Sequence, residues 1–246
     1  MDLKGRVVLL TGAKRIGDAV ARAVAARGAG VALAYRQSKT EADETAAAVQ
    51  AAGARALVVQ ADVSDAASCV ELLDAVAHEF NRLDVLVNMA SVYQAVPIGE
   101  LNAATWRRHI GVDLDGTFHC SIAALPLMRK TGGGRIINFS DWLPTSGRPR
   151  YKGYTTYYVA KAAVKAFTEA LALEVAGDGI LVNAIAPGPI LAPPDTSEEE
   201  HEAVERNIPL GRWGGPEAIV TAVLALISTD FITGETVRVD GGRHLY

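Results

Sequence analysis

Short apolar runs alternate with longer Ala-rich segments along the whole chain, and this alternation narrows the choice of fold more than any other feature. Arg6–Leu10, Gly30–Tyr35, Arg55–Gln60, Leu83–Asn88, Arg135–Ser140, Gly179–Ile185 and Thr236–Val239 read as strands. Several are continuously apolar, the pattern of strands covered on both faces. Segments 16–27, 40–52, 66–80, 103–129, 156–177 and 216–228 read as helices, with Gly28, Gly53 and Gly177 where C-termini belong. Strand and helix in turn, with short connections, imply an α/β fold: a Rossmann-type doubly wound parallel sheet of about seven strands, helices on both faces. No linker or repeat divides residues 1–246, so one domain is expected. Only 187–209, rich in Pro and Glu, reads as a long loop, and 189–209 is expected to serve the substrate. Within it Ser197-Glu198-Glu199-Glu200 reads as the first turn of a short helix.

Half of the 246 residues are hydrophobic, enough for a substantial core and too many for a disordered chain. The 24 Lys+Arg against 28 Asp+Glu leave a net charge of −4 with no basic block, which argues against nucleic acid or an anionic membrane as partner. Val7-Val8-Leu9-Leu10 is too short for a signal peptide or membrane span, so a cytoplasmic setting is expected. His78, His109, His119, His201 and His244 show no metal-ligand spacing, and no metal is implied. Cys69 and Cys120 sit in separate helical patterns, apart from each other, and are expected to be core residues.

The chemistry starts where the first strand runs into Thr11-Gly12-Ala13-Lys14-Arg15-Ile16-Gly17 and a helix follows. Such a turn lets backbone N–H groups approach a pyrophosphate, and the helix dipole favours its charge. The second strand ends Ala34-Tyr35-Arg36-Gln37-Ser38-Lys39 with no carboxylate before Glu41. A carboxylate there would bond a ribose 2′-hydroxyl; Arg36, with Ser38, suits a 2′-phosphate instead, so NADP(H) is the expected cofactor. Tyr157 and Lys161 lie one helical turn apart on one face. An ammonium beside a phenol is expected to lower the phenol's pKa and suit it to proton transfer.

Tyr157-x-x-x-Lys161, Asp62-Val63 after the third strand, Asn88-Met89-Ala90-Ser91 after the fourth and Pro187-Gly188 after the sixth follow one another in order. Together with the glycine turn they resemble the short-chain dehydrogenase/reductase family over essentially the whole chain. The resemblance implies a cofactor site made by Gly12, Lys14, Arg15, Ile16, Gly17, Arg36, Ser38, Asp62, Val63, Asn88, Ala90, Ser91, Tyr157, Lys161, Pro187, Gly188 and Ile190. It also implies that Lys161 holds the nicotinamide ribose.

The chain departs from the family pattern in four places. Arg15 stands at the middle glycine of a turn one residue short, Asp141 where the carbonyl-binding Ser belongs, Asp113 at a helix Asn, and Ala192 at a usual Thr. Arg15, Asp141 and the aromatic Tyr93 after Asn88-Met89-Ala90-Ser91 resemble the pteridine reductases. That likeness implies a substrate site of Arg15, Ser91, Tyr93, Asp141 and Tyr157, with Asp141, Tyr157 and Lys161 catalytic. Alternatively Asp141 is a strand-end cap with Ser140 shifted into its role, and Asp113 either joins a water relay or caps a helix kink. The expected activity is NADPH-dependent hydride transfer to a small carbonyl or imine, foremost a pteridine-type heterocycle. A 3-oxoacyl or general ketone reductase is the alternative, and a non-catalytic NADP-binding sensor a third. The long helices 103–129 and 156–177 are apolar on more than one face, which suggests a homotetramer.

Overall fold

The computed structural model describes residues 1–193 and 196–245, so Pro194 and Asp195 of the expected substrate loop lie outside the described residues. Val7–Thr11 (β1), Gly30–Tyr35 (β2), Ala56–Gln60 (β3), Val85–Asn88 (β4), Gly134–Phe139 (β5), Ile180–Pro187 (β6) and Thr236–Val239 (β7) form one sheet. Its order is β3-β2-β1-β4-β5-β6-β7, with every neighbouring pair parallel. The connections carry Ile16–Ala25 (α1), Lys39–Ala51 (α2), Ala66–Phe80 (α3), Ala103–Ile110 (α4), Gly116–Lys130 (α5), Trp142–Thr145 (α6), Thr155–Val175 (α7), Glu198–Glu205 (α8) and Pro216–Ser228 (α9). None of these helices is long and apolar enough to cross a membrane.

All five β1 residues are buried because the strand serves two cores. Val8 and Leu10 pack with Val20 and Val24 of α1 and Ile219 and Val223 of α9. Val7 and Leu9 face the other way, towards Leu72 and Val76 of α3, Leu125 of α5 and Leu171 of α7. Period-two alternation therefore sorts side chains between two apolar layers rather than between core and water.

Several expected boundaries move for local reasons. β4 begins at Val85 rather than Leu83, because the Asp84 carboxylate takes the Val7 N–H (2.9 Å) and pairs with Arg6 and Arg82. The single expected helix 103–129 is divided: α4 and α5 are joined by a π-helical turn, Gly111–Asp115, which inserts an extra residue. Gly177 does not supply the left-handed residue after α7. A short 3₁₀ turn covers Ala176–Asp178, and Gly179 (φ 71°) ends it. α8 starts as expected, Ser197 and Glu200 capping each other reciprocally.

The chain runs outward from β1 to β3 and returns to β4 beside β1, so a crevice opens at the C-terminal ends of β1 and β4. Thr11 closes its floor, its hydroxyl oxygen accepting the N–H groups of Met89 (3.0 Å) and Ala90 (3.2 Å). Above it the turn folds back on itself. Gly12 has φ 107°, and a Cβ on Gly17 would overlap the Gly12 carbonyl oxygen. Gly17→Ala should therefore destabilise the protein by about 3 kcal/mol or more, since backbone and not a movable side chain must yield. Urea unfolding of this variant beside a surface Gly→Ala control measures it; equal losses would mean the turn has slack.

Candidate active site

The glycine turn brings two cations to the mouth of the crevice. Arg15 has φ 53°, a left-handed conformation that costs a non-glycine residue about 1–2 kcal/mol. A glycine at this position would be free of that strain. The Arg15 guanidinium donates to the Ala192 carbonyl (2.8 Å), tying the turn to the loop after β6. Lys14 pairs with Glu41 of α2, and this ion pair holds the Glu41 carboxyl below its ordinary value. Lys14 and Arg15, with Asp18, Arg22, Glu41 and Glu44, line a hollow of about 290 Å³ beside the turn. Ile16 and Gly17 open α1.

Arg36 stands at the end of β2 as expected but is engaged: its Nε lies 2.9 Å from Asp62 Oδ2. Ser64 donates its hydroxyl and N–H to the same carboxylate, and with Arg36 these hold Asp62 below the usual carboxylate range. Ser38 precedes α2 without capping it by its side chain. Val63 is buried under Gly116, while Ile190 is packed into the core and Gly188 donates to Val239 (2.9 Å) beside Pro187 at the end of β6. Asn88 donates to Asn138 Oδ1 (2.9 Å) and Ser121 (3.0 Å), which leaves its own buried Oδ1 without a partner. A positive-φ glycine turn, two cations and this orphaned acceptor at a switch point suit a dinucleotide. The Nη groups of Arg36 make no hydrogen bond among the described residues and remain free for a 2′-phosphate, although the Asp62 carboxylate beside them opposes an anion.

At the ends of β4 and β5 the second half of the site assembles. Asp141 follows β5 and caps α6 by accepting the Leu143 N–H (2.8 Å), and its other oxygen accepts the Tyr157 hydroxyl (3.0 Å). It is thus both a cap and a partner of the tyrosine. Ser140 does not shift into its role: its hydroxyl turns inward to the Lys161 carbonyl (2.8 Å). Burial pushes the Asp141 carboxyl up to about 6, against the pull of the Leu143 N–H, Tyr157 and Lys161. The Lys161 ammonium is buried, donating to the Phe139 carbonyl (3.0 Å) and pairing with Asp113 Oδ1 (3.1 Å). Asp113 also accepts the Ser91 hydroxyl and the Val92 N–H (3.1 Å).

Tyr157 corrects an expectation. Its phenol is not lowered towards neutrality but pushed well above its ordinary value, by burial first and then by Asp141 and Asp113. The neighbouring cation, 5.8 Å from the ring centroid, does not prevail against two carboxylates and an apolar wall. Tyr93 stacks on Tyr154 (centroids 4.8 Å, 29°) and meets Tyr157 edge-on (5.0 Å, 81°), so an aromatic rim surrounds the hydroxyl. Tyr93 itself is exposed, and partial desolvation against this cluster, with Tyr154 and Asp141 nearby, raises its phenol. A second correction concerns the cysteines: far from isolated, Cys69 of α3 and Cys120 of α5 meet with sulfurs 3.4 Å apart. Sequence reasoning did not foresee the Asp113–Lys161 pair or the Arg36–Asp62 pair. The one available signal was Asp113 itself, a carboxylate in an otherwise apolar helical stretch.

Residues 12–244 match the family model described as enoyl-(acyl carrier protein) reductase. The chain is 39% identical over 249 residues to a 3-oxoacyl-[acyl-carrier-protein] reductase of Synechocystis, covering 99% of both proteins. It is also 39% identical to 3beta-hydroxysteroid dehydrogenase 1 of Eggerthella lenta, over 100% of this chain and 96% of the other. A short-chain dehydrogenase/reductase from Serratia marcescens superposes with a TM-score of 0.91 at 31% identity, over 99% of this chain and 100% of that one. Fold, ordered motifs and relatives together define a nicotinamide-dependent oxidoreductase. The chain belongs to the short-chain dehydrogenase/reductase family.

The buried carboxyl of Asp141 yields a prediction about stability. Its folded value of about 6 lies above the ordinary 3.8, so its contribution is fully present below pH 3.8 and is lost as pH rises to about 6. The loss amounts to about 3 kcal/mol. Asp141→Asn keeps an acceptor for Leu143 without the charge. Relative to wild type it should gain stability through that window and hold the gain, about 2–3 kcal/mol, above it. Urea unfolding between about pH 4 and pH 8 checks this, and a pH-independent difference contradicts it.

Proposed function

We propose that this protein interconverts a small ketone and its secondary alcohol, working chiefly as a reductase. The observation that carries this reading is the Tyr157 hydroxyl, aromatic-rimmed and hydrogen-bonded to Asp141, with Lys161 one helical turn on. A bound nicotinamide dinucleotide supplies or accepts the hydride. Tyr157, kept protonated by its surroundings, gives its proton to the carbonyl oxygen. Asp141 in its neutral form donates a hydrogen bond to that oxygen; once ionised it opposes the developing negative charge, so reduction is favoured on the acid side of about pH 6. Gly12, Lys14, Arg15, Ile16, Gly17, Asp62, Val63, Asn88, Ala90, Ser91, Lys161, Pro187, Gly188 and Ile190 are proposed to hold the dinucleotide. The relatives' names, a 3-oxoacyl reductase and a hydroxysteroid dehydrogenase, support carbonyl–alcohol chemistry over a pteridine.

A second reading, reduction of a C=N bond in a flat heterocycle, is favoured by one feature: a carboxyl stands where a ketone reductase needs a hydroxyl donor, beside stacked Tyr93 and Tyr154. We also propose a homotetramer in the cytoplasm as one domain, with small-molecule substrates. Trp106, Phe118, Ile122 and Val159 expose apolar surface on α4, α5 and α7, which supports association through these helices.

Oxidation of NADPH or NADH with a cyclic ketone, a 3-oxoacyl thioester and an oxidised pterin separates the readings. Ketone turnover, cut by at least about 10²-fold in Tyr157→Phe and raised in Asp141→Ser, is the expected result. Pterin turnover that falls in Asp141→Ser establishes the second reading instead, and cofactor binding without turnover of any of the three removes both and leaves the sensor reading standing. Cofactor choice is proposed to rest on Arg36 with Ser38. Arg36→Ala should weaken NADPH by about 1.5 kcal/mol, the low end for a charged hydrogen bond because the Asp62 carboxylate beside Arg36 opposes a phosphate, with NADH unchanged. Equal weakening of both cofactors, measured by calorimetry, removes Arg36 from the 2′-phosphate.

A further inference from the structure

Asp113 is a buried carboxylate that neither glycine turn nor Tyr-x-x-x-Lys motif calls for. It occupies the middle of the π-helical turn Gly111–Asp115, on the side that meets α7. One oxygen lies 3.1 Å from Lys161 Nζ and accepts the Ser91 hydroxyl, and the other accepts the Val92 N–H (3.1 Å). The same ammonium stands 5.8 Å from the Tyr157 ring centroid, nearly twice as far. Potentials from neighbouring charges add, so at the phenol the Asp113 carboxylate offsets the ammonium it is paired with.

We infer that Asp113 is a positioning residue: its carboxylate fixes the Lys161 ammonium and takes up its charge, so that Tyr157 stands beside a neutralised pair instead of a bare cation. The consequence is a tyrosine that stays protonated across neutral pH, loaded for reduction, with little phenolate present to act as the base in alcohol oxidation. The inference rests on Tyr157 being the proton-transfer group. Other groups facing Tyr157 are accounted for. Asp141 from the end of β5 accepts its hydroxyl, Tyr93 from beyond β4 and Tyr154 just before α7 flank it, and His109 of α4 reaches α7 through Thr156 (2.7 Å). Lys161 is the one cation of this set, so the charge Tyr157 senses is set by what Lys161 is paired with. Burial and both carboxylates already raise the phenol, in keeping with this arrangement.

The test reads Tyr157 without any substrate. Phenolate absorbance is followed against pH, with the Tyr157→Phe form of each background subtracted to leave the Tyr157 step. Asp113→Asn keeps the shape and an acceptor oxygen but removes the charge. Its Tyr157 step should fall by at least about one pH unit, roughly tenfold more phenolate at a given pH, and Asp113→Ser should do the same. The alkaline rise of alcohol oxidation should move down with it. A step that stays in place in a folded variant overturns the inference. Where a single variant fails to fold, Asp113→Asn combined with Lys161→Met should restore folding, by removing the stranded cation along with its partner. A double variant that remains unfolded overturns the pairing. Absence of carbonyl turnover in wild type would remove the ketone reading alone, because the phenolate titration stands apart from turnover.

Discussion

The active end of the sheet is organised around one buried ammonium. Lys161 is about 3% exposed in its side chain, and a cation removed from water must be met by charge and hydrogen bonds from the protein. Phe139 at the end of β5 offers its carbonyl and Asp113 its carboxylate, so three separate parts of the chain converge on one nitrogen. The π-helical turn carries Asp113 to α7, and Ser140 turns away from the crevice to bond the Lys161 carbonyl. What remains facing the crevice is the Tyr157 hydroxyl with Asp141.

The glycine turn at the neighbouring strand end obeys a different constraint, that of backbone crowding. Gly12 and Gly17 let the turn fold onto itself, while Arg15 holds a left-handed conformation with a side chain attached. A strain of about 1–2 kcal/mol there is offset by what the guanidinium does, which is to bind the Ala192 carbonyl across the crevice mouth. The turn and the loop after β6 are thereby joined by a side chain that glycine lacks. Cofactor mouth and substrate loop meet at this one residue.

Much of the architecture was legible in advance. β2, β7, α3 and α9 run between the expected residues, because their apolar runs and their capping signals agree locally. The start of α8 was readable from the run Ser197-Glu198-Glu199-Glu200, since carboxylates favour a helix N-terminus within a single turn; the capping box there is likewise a local contact. The misses lie where a distant partner decides. β4 starts late because Asp84 answers Arg6 and the Val7 N–H, 77 residues earlier. The division of the helix at Gly111–Asp115 has no propensity signal, because the carboxylate there is directed by Lys161 on another helix.

The sequence by itself determined the alternation of elements, the doubly wound sheet that alternation implies, the place of the glycine turn and the presence of Tyr157 with Lys161 on one helix face. All of these depend on residues close together in the chain, where periodicity and capping act. Only the tertiary structure decided that Cys69 meets Cys120, that Arg36 is held by Asp62, that Asp141 both caps α6 and receives the Tyr157 hydroxyl, and that Asp113 answers Lys161. It also reversed the sign expected for Tyr157. The physical reason is common to them all: a charge is tuned by burial and by its nearest opposite or like charge, and in a folded chain those neighbours come from elements tens of residues away.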